Sequence, residues 1–295
     1  MNTINPYQFQ PALPEPLHWW DLDNLTTGIT DKGKGASFPN ALTNFGTSIV
    51  TGSGPDGQDT LQFSSGDYLK YATDQAWDSD SDSTSMACWA KFSSISSTGN
   101  WLMNWRGSGT VEKIMQILAL NKTTRPTTND MFSVNLFNGG DGPVVLEETY
   151  GETQLDTPQL TLNQWHHIVG TFNEFTKELS LYIDGVFLVS YIFTNFTSRD
   201  NARPAPFAIG NAAWSTNSNL QHIGEICMCG MWDTALTPSN IQHLYAQGKG
   251  RQYKNLGMSK PGFNTFGRAS RKFDGTDVVI VGDVMDDEVF TKSSF

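Results

Sequence analysis

Cysteine is scarce in this chain. Three occur in 295 residues, Cys88, Cys227 and Cys229, too few for the disulfide framework of a small secreted domain. On an extended strand Cys227 and Cys229 share a face with parallel side chains, poor geometry for a bond between them. A chain of this length needs no such staples, because it can bury a large core. No run approaches the roughly 18 apolar residues that a membrane-spanning helix requires. Met1 to Pro16 has no basic patch followed by an apolar stretch, so no signal peptide is expected. Basic charge is also short: 19 Lys and Arg against 30 Asp and Glu leave a net charge of −11. That balance argues against general nucleic-acid binding. No histidine is paired with a Ser or Cys nucleophile motif, and no glycine-rich phosphate cradle occurs. Internal repeats and low-complexity tracts are missing too.

What the chain does have is glycine and alternation. The 27 glycines and a hydrophobic share of 38% suit a turn-rich β-protein. The most informative stretch runs from Leu162 to Tyr191. Leu179, Leu181 and Ile183 alternate with Ser180, Tyr182 and Asp184, the period-two pattern of a half-buried strand. Asp184-Gly185 supplies residues that tolerate positive φ in a two-residue hairpin turn, and Val186 to Val189 leads back. Upstream, His166 to Val169 enters a strand behind Trp165. Further strands are expected around Leu61 to Leu69, Ser85 to Phe92, Trp101 to Trp105, Ile114 to Leu118, Met131 to Leu136, Phe207 to Asn211 and Ile223 to Asp233. Thr237 caps a short helix with Pro238 in its first position, Ile241, Leu244 and Tyr245 on its inner face and Gly248 at its end.

The run from Trp165 to Phe172, followed by Leu179-Ser180-Leu181-Tyr182-Ile183-Asp184-Gly185, resembles the concanavalin A-like lectin/glucanase superfamily in its laminin-G-like and pentraxin-like branch. His18-Trp19-Trp20-Asp21, Leu61 to Leu69 and the Gly224-Glu225-Ile226…Trp232-Asp233 run extend the resemblance over 17–248. It implies an all-β jelly-roll sandwich of two antiparallel sheets with one short helix near residue 240. Outside it stand a proline-punctuated arm, 1–16, and a C-terminal extension, 249–295.

The resemblance implies a fold that hosts lectins, hydrolases and adhesion modules alike. Its glucanase members carry alternating acids, E-x-D-x-E or E-x-D-x-x-E, as nucleophile and general acid. No such run is present; Glu148 and Glu152 lack the central Asp and read as a solvated turn. His166 and His167 point to opposite sides of a strand, so they cannot both line one site and are expected to be structural. Pentraxin-like members place calcium ligands after the strands matching 101–105 and 207–210; here those positions read Arg106-Gly107-Ser108-Gly109 and Asn211-Ala212-Ala213-Trp214. No pentraxin-type calcium pair is expected. Asp31, Asp67 and Asp141 are better turn-formers than single-ion ligands. The family also ties the strand of Cys88 to that of Ile168 and Val169, where no cysteine stands. No metal or cofactor is expected.

Metal-free glycan binding needs an aromatic platform with amides and charged groups to read hydroxyls. Trp105, Arg106, Asn138, Asp141, Trp214 and Asn217 carry those chemistries in loops that the family topology brings together, with a core or interface role for the tryptophans as the competing reading. Residues 249–272 hold seven basic side chains and no acid, while six acids and only Lys292 follow. Asp277, Val278, Val279, Ile280 and Val281 form a β-prone run that needs a sheet edge, and Arg268, Arg271 and Lys272 suit an acidic protein surface. These features lead to the expectation of a non-enzymatic virion structural or surface protein, a capsid decoration or fibre component of a phage or related virus. It would be made in the host cytoplasm without a signal peptide. Its arms would dock on other virion proteins or copies of itself, its lectin-like domain would meet host-surface glycans, and neither nucleic acid nor membrane would be a partner. A soluble carbohydrate-binding lectin is the alternative, and a glycoside hydrolase is disfavoured.

Overall fold

The computed structural model describes residues 13–35, 41–75, 81–95, 100–106, 113–121, 130–136, 161–193, 205–213 and 220–256, of which 106, 113–121 and 130–136 are described for backbone only. All belong to one unit, Met1–Met258. The strands are β1 (His18–Trp20), β2 (Thr43–Phe45), β3 (Ser48–Val50), β4 (Thr60–Phe63), β5 (Tyr68–Lys70), β6 (Thr84–Ser94) and β7 (Asn100–Arg106). They continue as β8 (Lys113–Asn121), β9 (Asp130–Leu136), β10 (Trp165–Asn173), β11 (Glu178–Ile183), β12 (Val186–Ile192), β13 (Phe207–Ile209) and β14 (Ile223–Trp232), followed by the helix α1 (Pro238–Tyr245).

Among the described residues these form two antiparallel sheets. The eight-stranded one runs β12-β11-β10-β6-β14-β4-β3, with β1 beside β14, and the six-stranded one runs β2-β5-β13-β7-β8-β9. This is the all-β sandwich that the sequence leads one to expect. Alternation sorts the long central strand. Met86, Cys88, Ala90 and Phe92 of β6 face the core between the sheets. Ala87 and Trp89 face the opposite way, into a second apolar cluster on the outer face of the eight-stranded sheet. That second cluster is roofed by α1.

The helix forms because its ends are satisfied and its inner face is buried. Thr237 and Asn240 make a reciprocal capping box, with Pro238 in the first turn. Ile241 and Leu244 are buried, each worth roughly 1.5–3 kcal/mol of apolar burial. Tyr245 stacks on Trp89 with ring centroids 5.7 Å apart. Such packing stabilises a two-turn helix that would not persist alone in water. The helix stops earlier than expected: Ala246 already takes left-handed backbone, φ 47°, ahead of Gly248.

The packed unit also reaches further than 17–248. Leu13 and Leu256 are both buried in the roofed cluster. The Trp232 indole N–H donates to the Pro14 carbonyl at 2.9 Å, and the Tyr253 amide donates to Asp21 Oδ1 at 2.8 Å.

A correction concerns the cysteines. Cys227 pairs with Trp89 and Gly230 with Ala87, so Met228 and Cys229 together oppose Cys88. This is a β-bulge, with Met228 at φ 49° and its amide donating to the Asp21 carbonyl at 2.9 Å. The extra residue reverses the alternation. Cys227 therefore sits under the helix and Cys229 in the inter-sheet core with Cys88, on opposite faces and not one. Cys88 pairs directly with Ile168, and all three cysteines are free and buried.

The Trp165–Gly185 motif has a physical explanation. Asp184 and Gly185 take φ 52° and 77°, the left-handed pair of a tight hairpin turn between β11 and β12. From there Asp184 Oδ1 accepts the His167 amide at 2.8 Å, and Oδ2 lies 3.0 Å from His166 Nδ1. The Asp184 amide returns a bond to the His167 carbonyl at 2.8 Å. One carboxylate thus ties the hairpin to the start of β10. Asp184→Ala removes the two carboxylate contacts and the residue's tolerance of positive φ, and should lower stability by about 1–3 kcal/mol in denaturant titration. Asp184→Asn, which keeps both an acceptor and that tolerance, should lose less.

Candidate functional site

The outer faces of the two sheets differ. On the eight-stranded sheet, α1 and the segments around Leu13 and Leu256 cover the middle of the face. The end beyond this roof carries a charged network. Lys91 pairs with Glu225 across neighbouring strands and donates to Ser53 Oγ at 2.7 Å. Thr60 Oγ1 donates to Glu225 Oε2 at 2.6 Å. The Trp165 indole donates to the Ser53 carbonyl at 2.7 Å, and the Lys91 ammonium stands 5.3 Å over its ring. Burial pushes the Glu225 carboxyl up, but the hydrogen bonds from Lys91, Ser53 and Thr60 and the Lys91 charge outweigh it and hold the group below its usual value. Each polar member of this network is spent on a neighbour.

The six-stranded sheet has no helix on its outer face among the described residues. Leu69, Phe207 and Ile209 turn into the core, so alternation sends Tyr68, Lys70 and Ala208 outward. Register then sets the neighbours. Thr43 lies opposite Lys70, and Phe45 opposite Tyr68. Lys70 also lies opposite Ala208, and Ala208 opposite Asn104. Part of this face is closed, because Asn104 Oδ1 accepts the Ala213 amide at 3.0 Å and Ala212 packs with Leu220 on Trp101. Toward β2 it is open. Phe45 is 42% exposed and stacks on Tyr68, with centroids 4.4 Å apart and planes at 14°. Among the described residues no hydrogen bond or ion pair engages the Thr43 hydroxyl, the Tyr68 hydroxyl or the Lys70 ammonium.

Of the expected glycan-reading residues, Trp105 is corrected. It has no exposed surface and packs edge-on against His18 and Phe207, each with centroids 6.2 Å away. Standing two residues from Met103, it shares that residue's inward face and offers no platform to a sugar. Arg106 ends β7, its backbone paired with Lys113. The register Trp105–Met115–Leu136 brings the ends of β7 and β9 to one end of the sheet, whereas β13 leaves toward the other. The Arg106 side chain and Asn138, Asp141, Trp214 and Asn217 lie outside the described residues, as do Arg268, Arg271, Lys272 and 277–281. The open block Thr43, Phe45, Tyr68 and Lys70 was not among the expected site residues. Its signal is weak, since nothing in a three-residue Thr-Asn-Phe strand distinguishes an exposed aromatic from a core one.

Of the aspartates expected to form turns, Asp31 and Asp67 spend their carboxylates on nearby backbone amides. Asp31 accepts the Trp19 and Gly33 amides, each at 2.9 Å, and meets His18 Nδ1 at 2.6 Å. Asp67 accepts the Ser64 amide at 2.7 Å. Among the described residues no three His, Cys, Asp or Glu side chains converge to hold a metal ion. Burial pushes the Cys227 and Cys229 thiols well up, which keeps them protonated and poorly nucleophilic.

This geometry accords with the comparisons. A laminin-G family model of the concanavalin A-like lectin/glucanases superfamily matches residues 63–242, and the chain belongs to that superfamily. No curated protein matches the sequence. Domain 4 of AbnA, a GH43 extracellular arabinanase from Geobacillus stearothermophilus solved with arabinotriose, superposes with a TM-score of 0.52 at 17% identity, covering 78% of this chain and 97% of that one. Trypanosoma rangeli sialidase, solved with sialic acid, gives 0.50 at 13% identity over 77% of this chain and 32% of that one. A SAP-like pentraxin from Limulus polyphemus gives 0.43 at 11% identity over 60% and 75%. The fold is lectin-like.

Two buried histidines give the sandwich an acid-sensitive core. His167 lies between Trp89 and Tyr245, with centroids 5.1 and 6.1 Å away; burial lowers its pKa from 6.5 to about 4, against the pull of Asp184. Burial likewise lowers His222 to about 3, against the backbone of Glu225 and Lys91 and the Glu225 charge. The unfolded chain binds these protons near pH 6.5 and the folded chain only well below it, so stability is complete above 6.5 and falls as pH drops toward 4. The denaturation midpoint should therefore be lower at pH 4.5 than at 7.5. His167→Phe, which cannot titrate, should show a smaller drop over that interval.

Proposed function

We propose that this chain is a non-enzymatic carbohydrate-binding protein whose ligand lies on the outer face of the six-stranded sheet. The observation that carries this reading is the asymmetry of the two faces. One is roofed by α1 and the segments around Leu13 and Leu256; the other exposes a stacked aromatic pair beside polar groups that meet no partner among the described residues. Sugars are bound by such a pairing of apolar ring surface with convergent hydrogen-bonding groups. The superfamily fold supports the reading. The sequence carries no E-x-D-x-E or E-x-D-x-x-E run of the kind that holds the nucleophile and general acid of the glucanase members, and this favours binding over hydrolysis. A glycan array probed with the full chain should give selective binding, and incubation with the bound glycans should release no reducing ends. Release of reducing sugar would overturn the non-enzymatic reading, and an array without any binder would overturn the glycan reading.

We further propose that the protein sits on a virion, as a decoration or fibre component, with its terminal segments docking on other virion proteins or on copies of itself. The segregated charge supports this: seven basic residues in 249–272, next to a body of 24 acids and 11 bases in 1–248, suit an acidic protein surface. A chain ending at residue 256 should keep the fold and fail to incorporate into particles, read by particle sedimentation. Normal incorporation would contradict the proposal.

A further inference from the structure

We propose that Thr43, Phe45, Tyr68 and Lys70 form a subsite for a carboxylated sugar, a pyranose bearing an acidic group such as a uronic or sialic acid. The inference rests on the reading of the six-stranded face as the glycan face and adds the chemical class of its ligand. The four residues make a two-by-two block, Thr43 opposite Lys70 and Phe45 opposite Tyr68, all on the outward side because Leu69 between them is buried in the core. On one strand, positions i and i+2 are about 7 Å apart on the same face. Lys70 and Tyr68 therefore leave β5 side by side on the outer face, and the length of the Lys70 side chain lets its ammonium reach a substituent on a sugar seated at the ring.

Each member contributes a different recognition element. Phe45 and Tyr68 stack on each other, which fixes both rings at little entropic cost and leaves the exposed part of Phe45 for the apolar face of a sugar. The Tyr68 and Thr43 hydroxyls, which meet no hydrogen-bond partner among the described residues, can exchange hydrogen bonds with sugar hydroxyls. Lys70 sets the charge preference. Lys32, Lys34 and Lys91 each meet a carboxylate, those of Asp21, Asp233 and Glu225; Lys70 meets none among the described residues. In a chain of net charge −11 an unpaired ammonium beside an aromatic pair is the local feature that would draw an anion. Asp67, the acid next in sequence, spends Oδ2 on the Ser64 amide and lies against Gly46, directed at the adjoining turns. A carboxylate on Lys70 would be a charge-assisted contact, the strongest single hydrogen bond that the block offers.

The test is calorimetric titration of the full chain with sialyllactose and trigalacturonate, each against its neutral parent, lactose and galactotriose. At least one acidic probe should bind, its neutral parent about tenfold more weakly or worse, and Lys70→Met should abolish that difference. The two probes distinguish a sialic acid from a uronic acid as the source of the carboxylate. Phe45→Ala should weaken acidic and neutral ligands alike. Phe45 lies exposed on the edge strand β2 and Lys70 half-exposed on the outer side of β5, so unchanged thermal unfolding confirms that the fold is intact. Full affinity for the acidic probe in Lys70→Met, or preference for a neutral parent, would overturn the acidic-sugar subsite while leaving glycan binding standing. Binding of array glycans that survives both Phe45→Ala and Lys70→Met would also overturn the subsite and place the ligand elsewhere. Silence of all four probes and of the array would sink the subsite together with the reading on which it rests.

Discussion

Strands β6 and β14 must bury both of their faces, and this double burial organises the molecule. One face of each strand fills the space between the sheets, where Met86, Cys88, Phe92, Ile226 and Met231 interdigitate. The other carries Ala87, Trp89, Cys227 and Trp232, too much apolar surface to leave in water. A helix of two turns, capped by Thr237 and anchored by Ile241 and Leu244, supplies the cover. The Met228 bulge adjusts the strand so that Cys229 and Met231 reach the inner core while Cys227 and Trp232 stay under the helix. Without that extra residue the strand would present the wrong side chains to one of its two partners.

The same constraint decides where a ligand can bind. The covered sheet has its outer face committed to packing, and its uncovered end is occupied by the closed Lys91–Glu225–Ser53–Trp165 network. The six-stranded sheet faces out over β2 and β5 with Phe45, Tyr68, Thr43 and Lys70 available. Function on this fold is set by what such a face offers, and laminin-G-like sandwiches differ in activity while sharing the architecture.

Much of this was legible in the sequence because its physical cause is local. Period-two alternation marked β11, Asp184-Gly185 marked the hairpin, and Thr237-Pro238 marked the helix start. The opposed histidines followed from strand geometry, with His167 under α1 and His166 on Asp184. Other features have causes that alternation does not reveal. Strands β2 and β3 are three residues long and mostly exposed, so they lack a hydrophobic period. A left-handed Met228 has no local signal, since β-bulges are set by the neighbouring strand, and Cys227 and Cys229 consequently appeared to share a face. Trp105 was readable, standing two residues from Met103; its buried place follows from the alternation that located the strand. The exposed block escaped because exposure of an aromatic residue depends on which strand lies at the sheet edge.

The central claim is that the glycan lies on the open half of the six-stranded face. Hydrogen–deuterium exchange of the full chain, with and without the tightest array glycan, tests it most directly. The edge strand β2 should exchange readily when free, so bound ligand should slow exchange in 43–45, and in 68–70 of the strand paired with it, while leaving the α1 side unchanged. Protection confined to α1, β11 or β12, with none on β2 and β5, would contradict the account.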